Sequence, residues 1–150
     1  MPRWSRWSED DGTATLEFIT AGLILLMPLV YLVLSMAAIQ GGALAVEGAA
    51  RQAVRVFAQA PAFEQAHAQA EQAVRFALDD YGLDSDDAAV SVTCEPRPDE
   101  CLTRLGTVTI TVAVTIPLPM APQLLTGGAP LGVPVHSSAT QQVSRFWSGE

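Results

Sequence analysis

GTATLEFITAGLILLMPLVYLVLSMAAI, residues 12–39, is the stretch that decides the fold. From Phe18 to Ile39 it contains 22 residues without a charge, and the uncharged run continues to Val46. A helix of that length reaches about 33 Å, enough to cross a hydrocarbon core. The chain has 150 residues. What remains beside such a helix suffices for one small domain with a modest core, and a domain that small cannot cover the helix on all sides. A membrane span is therefore expected rather than a buried core helix. Pro28 removes one helical hydrogen bond and predicts a kink, which membrane helices tolerate better than soluble ones.

The border of the apolar stretch carries the informative chemistry. Glu17 stands at its very start, where a carboxylate is costly and is usually functional. Gly12 lies five positions earlier, after the polar, turn-like segment MPRWSRWSEDD. Asp10, Asp11 and Gly12 favour an exposed turn that a protease can enter. Cleavage between Gly12 and Thr13 would place a new α-amine one helical turn from the Glu17 carboxylate. Ammonium and carboxylate attract strongly in a low-dielectric setting and partly offset each other's burial cost. The same carboxylate could pair with the amine of a neighbouring subunit and set axial register among packed helices. A cleaved secretory signal is the competing reading, because Ala43-Leu44-Ala45 is an A-x-A pattern. The apolar stretch is too long for that, and three acids end the leader. An uncleaved signal anchor is the third reading.

The chain beyond the apolar stretch reads as α followed by β. Gly41-Gly42 is expected to be a flexible point where the helix leaves the membrane. Residues 43–60 resume an amphipathic helix with Val46, Ala49, Ala50, Ala53 and Phe57 on one side, and Glu47 and Arg51 form an i,i+4 pair. After Pro61 a second helix is expected over about 62–81. Its apolar face is Phe63, Ala66, Ala70, Val74, Ala77 and Tyr81, with Leu78 beside it and Gly82 as its stop. Strands are expected over 89–94, 105–116 and 135–146, with a proline-rich loop at 117–134 between the last two. In the second strand Val108, Ile110, Val112, Val114 and Ile116 alternate with polar residues. The fold class is α+β: a long N-terminal helix whose first half is transmembrane, a second helix, and a small three-stranded antiparallel sheet.

Composition narrows the function classes. The net charge is −8, and all eight basic residues are Arg. No basic patch is visible, so nucleic acid is not an expected partner. Cys94 and Cys101 at close spacing fit one disulfide better than a metal site. Two free thiols are the alternative; a bond needs an oxidising compartment, which would place residues 60–150 outside the cytoplasm. His67 between Glu64 and Glu71 has a spacing that could hold a metal, but a solvated helix face accounts for it better. His136 is an isolated strand residue, and Ser137-Ser138 has no visible His/Asp partners. No enzyme, metal, cofactor or small-molecule substrate is expected. The loop PLPMAPQLLTGGAPLGVPV is apolar for an exposed loop and is expected to cap the sheet edge or touch a partner subunit.

Gly12, then Glu17 and Phe18, then the long apolar run, resemble the processing signal of type IV pilins of the type III class. Within that group the chain most resembles the TadE-like minor pseudopilins of tight-adherence (Flp/Tad) pilus systems. The wider resemblance includes ALAVEGAARQAVRVFAQAP after the span, the short Cys–Cys loop, and VAVTIPLP at 112–119. It implies a structural role in pilus assembly, with Gly12 before the scissile bond, Thr13 as the mature N-terminus and Glu17 as the pilin carboxylate. It also implies a prepilin peptidase, other pilin or pseudopilin subunits and pilus assembly proteins as partners. The implied organisation is a leader at 1–12, a transmembrane helix at 13–42 and an extracytoplasmic α+β domain at 43–150. This would be a single-pass protein of the cytoplasmic membrane. Two features depart from the family pattern. Glu9, Asp10 and Asp11 precede Gly12 where basic residues are usual, and Thr13 is not the bulky apolar residue common in major pilins.

Overall fold

The computed structural model describes residues 13–119 and 131–148. Helix α1 (Thr13–Gln59) and helix α2 (Phe63–Asp79) are followed by strands β1 (Ala89–Glu95), β2 (Thr107–Pro117) and β3 (Gly132–Gln142). The strands form one antiparallel sheet in the order β1-β2-β3. This is the α+β arrangement expected from the sequence.

Helix α1 divides into two halves with different surroundings. Every residue from Ala14 to Val30 is exposed. From Tyr31 onward one face becomes covered. Tyr31, Ser35 and Ala38 are half-buried, Gly42 is buried, and Val46, Ala49, Ala53 and Phe57 continue that stripe into the core. These positions recur every three or four residues, so they share one side of the helix. The small residues Ala45, Ala49, Ala50 and Ala53 let α1 approach both the sheet and α2 closely. The core is completed by Leu78, Val108, Ile110, Val112, Ile116 and Val143, and no polar side chain among the described residues is fully buried within it. Glu47 pairs with Arg51 on the exposed side, as their spacing predicts.

Helix α2 returns antiparallel along α1 through the turn at Ala60–Ala62. The ring of Phe63 meets that of Phe57 edge-on at 6.0 Å. Its buried stripe is Ala66, Ala70, Val74 and Leu78. The expected face was broader. Ala77 is half-buried, and Phe63 and Tyr81 are 49% and 58% exposed. Strict i,i+4 steps carry the stripe around the helix, and Tyr81 lies beyond the last helical turn. Gly82, at φ 66°, ends the helix. Its N–H donates to Asp79 O at 2.9 Å, that of Leu83 to Leu78 O at 3.1 Å, and Leu83 is buried beside Leu78. This is a Schellman-type stop, in which glycine accepts the left-handed backbone.

In β2 the residues Val108, Ile110, Val112, Val114 and Ile116 all face the helices, with the intervening positions turned outward. The outer face carries hydroxyls, including Thr109 Oγ1 and Thr140 Oγ1 at 2.9 Å. Two boundaries differ from expectation. β3 begins at Gly132 and takes in Pro134, which pairs with Thr115. Proline is tolerated there because β3 is an edge strand and needs only one row of ladder bonds. β3 also ends at Gln142, because Val143 turns inward and its N–H donates to Gly106 O at 2.8 Å.

The Gly41-Gly42 pair is not a break. Helix α1 passes through both residues without interruption. A Cβ at Gly42 would lie 2.3 Å from Ile116 Cδ1, whereas one at Gly41 would meet nothing within 4 Å. Gly42 is therefore a contact site, where the bottom of β2 lies directly on the helix. Gly42→Val is expected to destabilise by about 1–3 kcal/mol through overpacking against Ile116. Gly41→Ala is expected to stabilise by up to about 1 kcal/mol through helix propensity. Thermal unfolding of the detergent-solubilised full chain reads both, and shifts of the same sign at the two positions would contradict the contact.

Candidate functional site

Two groups of residues stand out: the N-terminal part of α1 and the end of the domain farthest from it. Thr13 is the first described residue of α1, and Gly12 lies outside the described residues. Glu17 follows Thr13 by four positions, so the two share one side of the helix. Glu17 and Phe18 are both exposed, Phe18 at 80%, and no side chain among the described residues of the domain pairs with Glu17. The structure thus places Thr13, Glu17 and Phe18 at one end of a helix that is long and apolar enough to cross a membrane. Next to Glu17, Thr20 Oγ1 donates to Leu16 O at 2.7 Å, so this hydroxyl is satisfied within the helix itself.

The secretory cleavage pattern lies in a different setting. Ala43-Leu44-Ala45 is inside α1, and Ala45 is 1% exposed. Cutting after Ala45 would remove both Ala45 and Gly42 from the core.

At the opposite end, Cys94 and Cys101 form a disulfide with Cα atoms 5.1 Å apart. Both are buried. The bond closes the loop EPRPDE, in which the Glu95–Pro96 peptide is cis and Arg97 pairs with Glu100 at 2.7 Å. A shallow groove of about 300 Å³ separates this loop from Pro61 and Phe63, with Trp147 at its side. Trp147 Nε1 donates to Ala60 O at 2.9 Å, and Arg104 Nε donates to Trp147 O at 2.9 Å. The C-terminal segment thereby ties the α1–α2 turn to the start of the sheet. Sequence reading missed this clamp. Its only signal was an isolated tryptophan beyond the last alternating residues.

The remaining candidates do not assemble into a site. His67 Nδ1 lies 3.6 Å from Glu71 Oε1, and its ring packs edge-on against Phe57 and Phe63. No group of three or more His, Cys, Asp or Glu among the described residues is placed to hold a metal. His136 and Ser138 are exposed on the outer face of β3, and Ser137 is half-buried on the inner face. Compared with protein-family models, with curated proteins and with solved structures, the chain matches none.

The disulfide closes only a short loop, so its stabilising contribution is at the low end of the usual range, about 2–3 kcal/mol. Replacing Cys94 and Cys101 together by Ala should lower stability by that amount in denaturant titration of the full chain in detergent. An unchanged midpoint would show that the loop is held by its other contacts.

Proposed function

We propose that this chain is a TadE-like minor pseudopilin acting structurally in assembly of a Tad/Flp-type pilus. A prepilin peptidase removes residues 1–12, Thr13 becomes the mature N-terminus, and the first half of α1 anchors the chain in the cytoplasmic membrane. The α+β domain stands outside the cytoplasm, where the Cys94–Cys101 bond persists. Its partners are other pilin or pseudopilin subunits and the pilus assembly proteins, and no reaction is catalysed.

The observation that carries this reading is the setting of Glu17. A carboxylate stands at the start of an apolar helix with no partner among the described residues of its own chain, and that helix continues unbroken into the domain core. Such a group is costly in lipid unless a charge meets it. The α-amine freed at Thr13, in the same or a neighbouring subunit, supplies that charge.

The second reading is an uncleaved single-pass envelope protein with an extracytoplasmic binding domain. It is favoured by Glu9, Asp10 and Asp11, which stand where basic residues usually precede the cleaved bond. Mass spectrometry of the mature chain separates the two. The pseudopilin begins at Thr13; an intact leader, or a chain beginning at Val46, rules it out. Glu17→Ala should abolish pilus assembly or subunit pull-down while leaving membrane insertion intact. A plain anchor would insert at least as well and lose nothing.

A further inference from the structure

The length of bare helix is too short for the membrane it would cross. Phe18–Val30, the exposed apolar part after Glu17, reaches only about 20 Å, against a hydrocarbon core of about 30 Å. The missing length must come from Tyr31 to about Ile39, since Glu17 marks the other border. Yet Tyr31, Ser35, Ala38 and Ile39 are already half-buried. Part of the folded chain therefore lies alongside helix that sits at lipid depth.

The contacts identify a described part that reaches this depth. Trp147 bonds to Ala60 at the top, and Ile116 sits on Gly42 at the bottom, so β2 descends antiparallel to α1. Two further residues carry Leu118 about one helical turn lower, level with Ala38. There Leu118 N–H donates to Leu131 O at 2.9 Å, which keeps the two strands together below the sheet proper. Leu131 is 41% exposed, and Pro117, Leu118 and Pro119 complete the apolar base. Between Arg104 and Arg145 the sequence contains no Asp, Glu, Lys or Arg. The opposite flank of the same end, below α2 and β1, is different. It exposes Asp79, Asp80, Asp84, Asp86 and Asp87.

We infer that the base of the β2–β3 arm, at Pro117–Pro119 and Leu131, is seated in the interfacial zone of the phospholipid bilayer, while the acidic flank stays in water. The domain then meets the membrane twice, through α1 and through this arm. Two attachment points hold it tilted at a fixed angle, and five carboxylates repelled by anionic headgroups favour the same tilt. The inference rests on the membrane-spanning part of the proposal above.

The test places the photocrosslinker p-benzoylphenylalanine at Leu131, or at Asp86 as the opposite-flank control, in the full chain in native membranes. Irradiation should add the mass of one phospholipid to the Leu131 variant and not to the Asp86 variant. Adducts at Leu131 only to protein, whether a second copy or another subunit, overturn the inference. So do equal lipid adducts at both positions, or none at Leu131. Alkaline carbonate extraction of the same membranes separates the two levels of failure. A chain that stays in the pellet without a lipid adduct at Leu131 overturns the arm alone. A chain released to the supernatant overturns the span as well.

Discussion

The seating of Ile116 on Gly42 is the contact on which the rest of the structure depends. It joins the lower end of the central strand to the helix at a point where only a glycine leaves room. Above it, α1 is core: its alanines fill the angle between the sheet and α2, and its largest buried side chain in that region is Phe57. Below it, α1 progressively loses its cover and then stands free. One helix therefore serves two environments without a break, and the handover between them is set by one close approach. A helix hydrophobic all round is stable only where something apolar surrounds it. The domain supplies that above Gly42, and in the membrane reading lipid or neighbouring subunits supply it below Tyr31.

Much of this was legible in the sequence, because it depends on periodicity and on strong local punctuation. The alternation from Val108 to Ile116 identified β2 and its buried face. Val46, Ala49, Ala53 and Phe57 identified the core side of α1, and Gly82 identified the end of α2. What was not legible depends on tertiary contact. A Gly-Gly pair at the end of an apolar run reads as a hinge, and only the position of Ile116 shows that one of the two glycines is a seat. Pro134 reads as a loop residue, and only the edge position of β3 makes it a strand residue. Trp147 gives no local sign that it reaches back across the domain to Ala60. The site at Glu17 was legible in another sense: a charge at the border of an apolar run is conspicuous in sequence, and the described residues of its own domain offer it no partner.

The two ends of the domain are built differently. The far end is pinned by short-range chemistry: the Cys94–Cys101 bond, the Arg97–Glu100 pair across the same loop, and the Trp147 indole on the Ala60 carbonyl. Among the described residues, the near end has no such fastening on the arm side. The Leu118–Leu131 backbone bond and the Gly42 contact carry it. Covalent and side-chain fastenings are concentrated at the far end, and packing against the helix carries the near end.

The continuity of α1 also bears on how the domain can be handled in isolation. A fragment trimmed at residue 43, the natural place to cut from hydropathy alone, would discard the glycine on which β2 rests and would remove the seat of Ile116. Extending the fragment back to include Tyr31 would restore the half-buried stripe, but it would carry Leu32, Val33, Leu34 and Met36, all exposed, into water. Solubility and a complete core make opposite demands on the same few turns of helix. Replacing those outward-facing residues with polar ones, while keeping Tyr31, Ser35, Ala38 and Gly42, is the route by which both are met.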